Sequence, residues 1–589
     1  MRRPCVLLLL LTALLPSVVS AQERDRKRAQ ASRVPDGAIR VDGRLDEEAW
    51  RLATPVTDFV QKEPDEGQPA TDAIDVRFVF DDSALYVGAR MVSASSIQAP
   101  LGRRDEGDQA EHLIVSLDTY LDRRTSYSFG VTASGVRIDF FHDSDDEFSD
   151  DETFNPVWQA RTVVEDGGWT AELWIPLSQL RFNERTPQVW GLNVKRWVPT
   201  KNEELYWSPI RRTDDRWASL FGELHGLDGI EPRRRIELLP YVAGDSRRST
   251  AEAGDPFGGS TGTGRVGADL KVGLGTNLTL EATVNPDFGQ VEADPAEVNL
   301  SVFETFFSER RPFFVEGANL LSGNVNNYFY SRRIGASPPG RADGEYVDHP
   351  ATSTILGAAK LTGRLASGTS IGMLGAITDE ESARTFTAGE FGRFRVVPRT
   401  AYGVARVTQE VGQAGSTVAL MATMVHRGME AGDPLAALLT RNAFTLSGDS
   451  VLRFGDYEVQ GYLGVTHVDG DAPAMTRLQR ASARYFQRPD VDYVRLDPLR
   501  TSMSGAKGGL SIERQQARHW LWEASTAFET PEFETNDLGR LTSGDGMQIN
   551  GEVEYQETQP ARWYREYSFT FGQSVEWNYG RDLQTSMLV

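Results

Sequence analysis

Cysteine is almost missing: Cys5 is the one thiol in 589 residues. A disulfide framework and a cysteine-based structural zinc site are therefore excluded. Long apolar runs are missing too. Beyond the first twenty residues or so, no hydrophobic stretch approaches the roughly 18 residues of a membrane-spanning helix. If the chain enters a membrane it does so with strands, and lipid tolerates only a closed β-barrel, which leaves no sheet edge unpaired. Basic charge is in short supply, with 62 Lys and Arg against 84 Asp and Glu and a net charge of −22. That excludes nucleic acid as the main partner, because binding it takes a basic face that displaces counterions. The seven histidines (112, 142, 225, 349, 426, 467 and 519) are scattered, without metal-protease spacing.

What is abundant points to β structure: 55 glycines for turns, with 28 Phe, 17 Tyr and 12 Trp. Arg2 and Arg3, the apolar residues 6–15 and the small-residue site Val19-Ser20-Ala21 predict a secretory signal over residues 1–21. Residues 22–34 read as a linker.

Two grammars follow. Over 35–230 the strands are short and rich in aromatics. Val76-Phe78-Phe80 alternates, turns at Asp81-Asp82-Ser83 and returns as Leu85-Val87-Ala89-Met91, which predicts a hairpin. Leu113-Val115-Leu117 and Tyr127-Phe129-Val131 repeat the period of two, as in an antiparallel sandwich. Asp46 is placed as the cap of a short helical turn that packs Trp50 inward. From 231 the strands lengthen. Leu278-Leu280-Ala282-Val284, Val418-Leu420-Ala422-Met424 and Tyr457-Val459-Gly461-Leu463-Val465 each set an apolar face against a polar or small one. Such segments, near the roughly 9–11 residues of a tilted membrane strand, predict a transmembrane barrel over 231–589. The fold class is all-β: a sandwich, then a transmembrane antiparallel barrel. Residues 285–350, which break strand grammar with Pro and acids, read as a plug or long loop.

The run from Ile39 through Val41-Asp42-Gly43 to Asp46-Glu47-Glu48-Ala49-Trp50, together with Asp81–Gly88 and Gly168-Trp169-Thr170-Ala171-Glu172-Leu173-Trp174, resembles the family 9 carbohydrate-binding modules. A second resemblance rests on Asn285-Pro286-Asp287-Phe288-Gly289-Gln290-Val291-Glu292, Glu309-Arg310-Arg311-Pro312-Phe313-Phe314-Val315-Glu316-Gly317, Ala483-Arg484-Tyr485-Phe486-Gln487-Arg488-Pro489 and His519-Trp520-Leu521-Trp522. These strings are similar to the bacterial family that joins such a module to a DUF5916 β-barrel. Members of that family usually run further, and outer-membrane barrels usually end on an aromatic. The ending Met587-Leu588-Val589 therefore reads as a shortened chain and an incomplete barrel.

The resemblance implies an exported outer-membrane protein with a periplasmic module, whose partners are oligo- or polysaccharide and lipid, serving glycan binding and uptake. Hydrolysis of O-glycosyl bonds is a competing class, as is a structural barrel whose module binds protein. No carboxylate pair is singled out by the sequence, so no catalytic residue is named. Sugar binding calls for a flat aromatic ringed by polar groups. Trp50 and Trp169 are assigned to the core. Trp158, after an acidic loop, and Trp207, in an irregular stretch, are placed as the exposed platform, with Arg104, Asp105, Glu111 and Asp139 around them. The loop 143–152 is dense in acids, and calcium, implied chiefly by the family, falls to Asp143, Asp145 and Asp146. Glu304, Glu309, Arg310, Arg311 and Glu316 form the expected charged network of the lumen. Gly258–Gly262 mimics a nucleophile elbow and Gly262–Gly267 a dinucleotide fingerprint; both are read as a glycine-rich loop, since neither opens a helix.

Overall fold

The computed structural model describes residues 26–589 except 143, 153, 183–186, 231–235, 250–251, 276, 287–297, 299–303, 324–327, 366, 413–415, 431, 542–543 and 560. The expected signal, Asp143 and residues 287–292 of the Asn285–Glu292 string lie outside the described residues.

The first half is a two-layered β fold. One layer runs Arg137–His142, Ser126–Thr132, His112–Asp118, Trp190–Val198, Gly222–His225. The other runs Ile74–Phe80, Ala84–Val92, Gly168–Pro176, Gln159–Glu165. Alternation places Leu113, Val115 and Phe129 of one layer with Val76, Phe78 and Trp169 of the other in a single buried core. The expected hairpin forms, with Phe80 opposite Leu85. Its turn is closed by the buried Asp81 carboxylate, which accepts from Ser83 N and Ala84 N at 2.7 and 2.9 Å.

Two local expectations give way. Arg28–Arg33, expected as linker, is a strand that joins the layers, pairing in parallel with both Gly222–His225 and Ile74–Phe80. Its alternate residues Ala29 and Ala31 are buried, so a short small-residue pattern suffices where two edges need capping. The helical turn Glu48–Leu52 is preceded by Glu47, not Asp46, at the cap position; Trp50 is buried as expected.

The second half is one antiparallel meander, fourteen strands in sequence order among the described residues, from Ile236–Ser249 to Leu583–Leu588. The glycine-rich 259–267 is strand here, paired with Ile236–Ser249 through Gly262 and Ser246, so neither motif mimic lies in a loop. The central strands have a bare face and a covered one, while the last, Leu583–Leu588, is exposed throughout. Ser416–Arg427 exposes Val418, Leu420, Ala422 and Met424 and buries Ala419, Met421, Thr423 and Val425. Tyr457–Asp469 exposes Tyr457, Leu463 and Val465 and buries Glu458, Gly464 and Thr466. On the covered face lie ion pairs such as Arg406 with Asp449, bidentate at 2.7 Å.

Three inserted stretches cover that face. Pro312–Val315 and its continuation, the helix Ala472–Gln479 with the coil after it, and 530–541 share a core with the wall: Phe314, Leu321, Met475, Phe486 and Phe533 against Leu374, Val404, Met421 and Val468. Gly372 on the wall is seated against the Leu320 carbonyl, and a Cβ there would strike it.

The two ends of the meander differ. At one end the strand connections are short: 365–368, 455–456, 515–519. At the other they are long: 285–354, 428–441, 470–501, 530–545. The sandwich sits against the short-turn end. Arg364, beside one short turn, pairs with Asp122 of the sandwich and Glu410 of the wall. Arg453 faces Asp145 at 3.4 Å, and Gln516 donates to Asp214 at 3.1 Å.

Candidate binding cavity between the two halves

Where the sandwich meets the meander they enclose a cavity of about 1490 Å³. Its sandwich side is aromatic. Tyr127 packs its ring 4.9 Å from Phe141 and 5.3 Å from Phe154, and Leu177–Gln179 leads on to Arg181. The wall contributes Lys271, Thr279, Arg406 and Thr417. The inserted segment contributes Glu309, Arg310, Glu316 and Leu320. Aromatic faces with guanidinium, carboxylate and hydroxyl groups around them suit an uncharged polar ligand that offers both C–H faces and hydroxyls. The Tyr120 ring, also on the lining, lies under the Arg364 guanidinium at 5.1 Å. Next to it, burial raises the Asp118 carboxyl to about 6, although it accepts from Arg123 N at 2.8 Å.

None of the six residues expected to ring a sugar platform lines this cavity. Trp158 and Trp207 are 1% and 4% exposed and belong to the sandwich core, so neither can present a face to a sugar. Trp158 Nε1 donates to Asp139 at 2.9 Å, and Asp139 is also gripped by Arg104 at 2.8 and 2.6 Å. Asp105 accepts from Asp139 N at 2.9 Å. Glu111 stands in a different buried network, accepting from Trp169 Nε1 at 2.8 Å and Arg196 at 2.5 Å. These carboxylates satisfy core indoles and arginines, which the low dielectric of the core demands. The expected single ring is thus two structural networks.

The calcium assignment fares no better on its described members. Asp145 Oδ1 accepts from Trp217 N and Ser219 N at 3.1 and 2.9 Å, and Oδ2 faces Arg453. Asp146 accepts from Phe148 N at 2.9 Å. Donors occupy both oxygens of Asp145 and one of Asp146, and among the described residues no group of three His, Cys, Asp or Glu could hold a metal ion. These residues do not fit the ion.

The five lumen residues are brought onto the inserted segment, though as separate pairs. Arg311 holds Glu309 at 2.8 and 2.6 Å, Arg333 holds Glu304 at 2.9 and 2.6 Å, and Lys271 on the wall holds Glu316. Glu309, Arg310 and Glu316 line the cavity. Sequence reasoning missed Phe154 and Arg181. Tyr127 read as core by its alternation and is in that core, 7% exposed at the floor of the cavity; nothing marks the turn at 177–181 except Pro176 ending a strand.

The family model described as "Domain of unknown function (DUF5916)" matches residues 232–453 and 465–589. No curated protein matches the sequence. Among solved structures, a family 9 carbohydrate-binding module from Caldicellulosiruptor kristjanssonii, in complex with cellotriose, is similar at 17% identity, covering 35% of this chain and 99% of its own, with a TM-score of 0.25. The FrpB iron transporter from Neisseria meningitidis is similar at 8% identity, covering 89% of this chain and 69% of its own, with a TM-score of 0.27. A porin is similar at 13% identity, covering 60% of this chain and all of its own, with a TM-score of 0.23.

Proposed function

The chain belongs to the DUF5916 family, and on that premise we propose that it is an outer-membrane β-barrel protein whose N-terminal module binds oligosaccharide in the cavity at the barrel's periplasmic end. The observation that carries the membrane reading is the reversed polarity of the meander. Large apolar side chains are exposed along strand after strand, with Leu420 at 63% and Leu446 at 57%, while Lys360, Arg406 and Glu458 are buried on the other face. In water that arrangement wastes the hydrophobic effect; in lipid it is what the solvent selects. Aromatic rings gather at the short-turn end, where Trp520, Tyr555, Tyr567 and Phe569 form a chain of contacts between 5.0 and 6.2 Å. That is the composition of an interfacial girdle.

Connection length supports one side of the membrane for the sandwich. Barrels of this class keep short turns on the periplasmic side and long loops outside. The sandwich lies against the short turns, so the reading places it in the periplasm, which also suits an exported chain with its signal at residues 1–21. Plugging of the lumen falls to the inserts on the covered face. Saccharide is favoured as ligand by the mix of aromatic and hydrogen-bonding groups on the cavity and by the sequence's resemblance to carbohydrate-binding modules.

Membrane fractionation with gel mobility before and after boiling tests the barrel: a shift on boiling supports it, and a soluble chain with no shift refutes it. A glycan array probed with the full chain tests the ligand. Binding to no saccharide would refute the carbohydrate assignment and leave the barrel standing.

A further inference from the structure

A polar strip on the covered face is left unexplained by the binding cavity. Thr279, Glu281 and Thr283 of Leu278–Val284 stand beside Thr362 and Lys360 of Ile355–Arg364, with Thr279 opposite Thr362 and Glu281 opposite Lys360. All five are buried. The inserts meet most of the wall, including Ile355 and Ala358 at the start of the second strand, through apolar side chains such as Leu374, Val404, Met421 and Val468; from Lys360 on, they meet polar ones. Among the described residues, Glu281 Oε1, Thr283 Oγ1 and Thr362 Oγ1 have no hydrogen-bond partner in the protein. Buried polar atoms are almost always satisfied, because leaving one unpaired forfeits its hydration. Such a strip is a polar lining that suits water or a hydroxylated solute under its cover.

The cover has the build of a flap. Phe314 and Leu321 are buried anchors, and residues 315–320 between them are half-buried or exposed. One side of this turn lines the cavity through Val315, Glu316, Gly317, Asn319 and Leu320. Gly317 takes the left-handed backbone, φ 66°, above Thr362 on the wall. Its polar attachment to the wall falls to two lysines, beside the packing of the Leu320 carbonyl on Gly372. Lys360, whose side chain is fully buried, pairs with Glu281 at 2.9 Å and donates to the carbonyls of Phe313, at 2.7 Å, and Glu316. Lys271 holds the Glu316 carboxylate. Thr279 lines the cavity as well, so the strip begins where the cavity ends.

We propose that the 315–320 turn is a gate, bolted by Lys360, which swings about Phe314 and Leu321 to open a hydrophilic passage from the cavity along Thr279, Glu281 and Thr283 for small uncharged polar solutes. The route runs between the inserts and two wall strands and leaves the apolar core of the inserts packed. It rests on the membrane-barrel reading above.

The test uses the full chain reconstituted in liposomes, with flotation to report insertion and swelling in isosmotic glucose to report passage. K360M should swell several-fold faster than the unaltered chain. In a C5S background, G317C with T362C sets two Cβ atoms 3.6 Å apart, within disulfide reach. Its oxidised form should stop swelling and dithiothreitol should restore it, while G317C alone, with the same backbone strain, should be indifferent to oxidation. Equal swelling of the oxidised and reduced pair overturns the gate. So does an absence of swelling in both the unaltered chain and K360M when both float. If K360M does not insert, the cysteine pair decides alone. A chain that does not float overturns the membrane reading, and the gate with it.

Discussion

Arg364 is clamped between Asp122 of the sandwich and Glu410 of the wall, two strands away, all three largely buried. The charge therefore belongs to neither half alone and is one of the joints between them, beside Arg453 with Asp145 and Gln516 with Asp214. Arg364→Met removes the cation shared by the two carboxylates and leaves Glu410 only the more distant Arg124, at 3.7 Å, a loss of about 3 kcal/mol by the usual cost of breaking a buried pair. The expected outcome is faster tryptic cleavage in the connection between the halves, with each half still resistant. Unchanged cleavage would mean that the halves are held by something else.

The buried indoles should behave as structure and not as ligand contacts. Trp158→Ala and Trp207→Ala are each expected to destabilise the chain by about 3–5 kcal/mol, read as a lowered Tm by calorimetry. Asp139→Ala should do likewise, since it strands both Arg104 and the Trp158 indole. An affinity loss at unchanged Tm would restore these residues to the binding role that the sequence suggests.

The reverse split is expected for Arg181, half-buried on the cavity wall. Arg181→Ala should leave Tm unchanged and weaken saccharide binding about tenfold, the scale of one hydrogen bond to a charged group. Titration calorimetry with a saccharide that scores on the array checks this; equal affinity would remove the cavity from the binding account.

Glu172 gives a pH signature. It is buried and accepts from Asp42 N and Gly43 N at 2.8 Å and from Trp50 Nε1 at 2.9 Å, yet burial raises its carboxyl to about 7. The folded state thus keeps this proton between about pH 4.5 and 7 where the unfolded chain releases it, so the group's contribution to stability falls as pH rises through that window. His112 and His142, which burial lowers to about 4, act oppositely, favouring the unfolded chain as pH falls below its ordinary histidine value. The comparison must therefore be with Glu172→Gln. The Tm of the variant relative to the unaltered chain should rise between pH 5 and pH 8; a constant difference would mean that Glu172 does not titrate in that window.

Periodicity is a one-dimensional signal, and it was informative where a single strand decides the outcome. Val418, Leu420, Ala422 and Met424 fall on one face because they alternate, and Trp50 and Trp169 are core because their neighbours are. What alternation cannot carry is which distant surfaces meet. Asp145 sits in a run of acids that reads as a cation loop, yet its oxygens are taken by backbone N–H groups of Trp217 and Ser219 and approached by Arg453, which lies on the other half. Trp207, in an irregular stretch, gave no period at all, and the layers closed over it. The cavity was illegible for the same reason: its two sides are joined only by the docking of the halves.

The reversed polarity of the meander is the premise on which membrane, cavity side and gate all rest. It is tested most directly by nitroxide labels placed one at a time at 417–424 in the full chain reconstituted in lipid, reading collision with oxygen and with a water-soluble nickel complex. High oxygen access and low nickel access at 418, 420, 422 and 424, alternating with protected sites at 417, 419, 421 and 423, is the predicted result. Nickel access at Val418, Leu420, Ala422 and Met424 equal to that of a loop residue would contradict it.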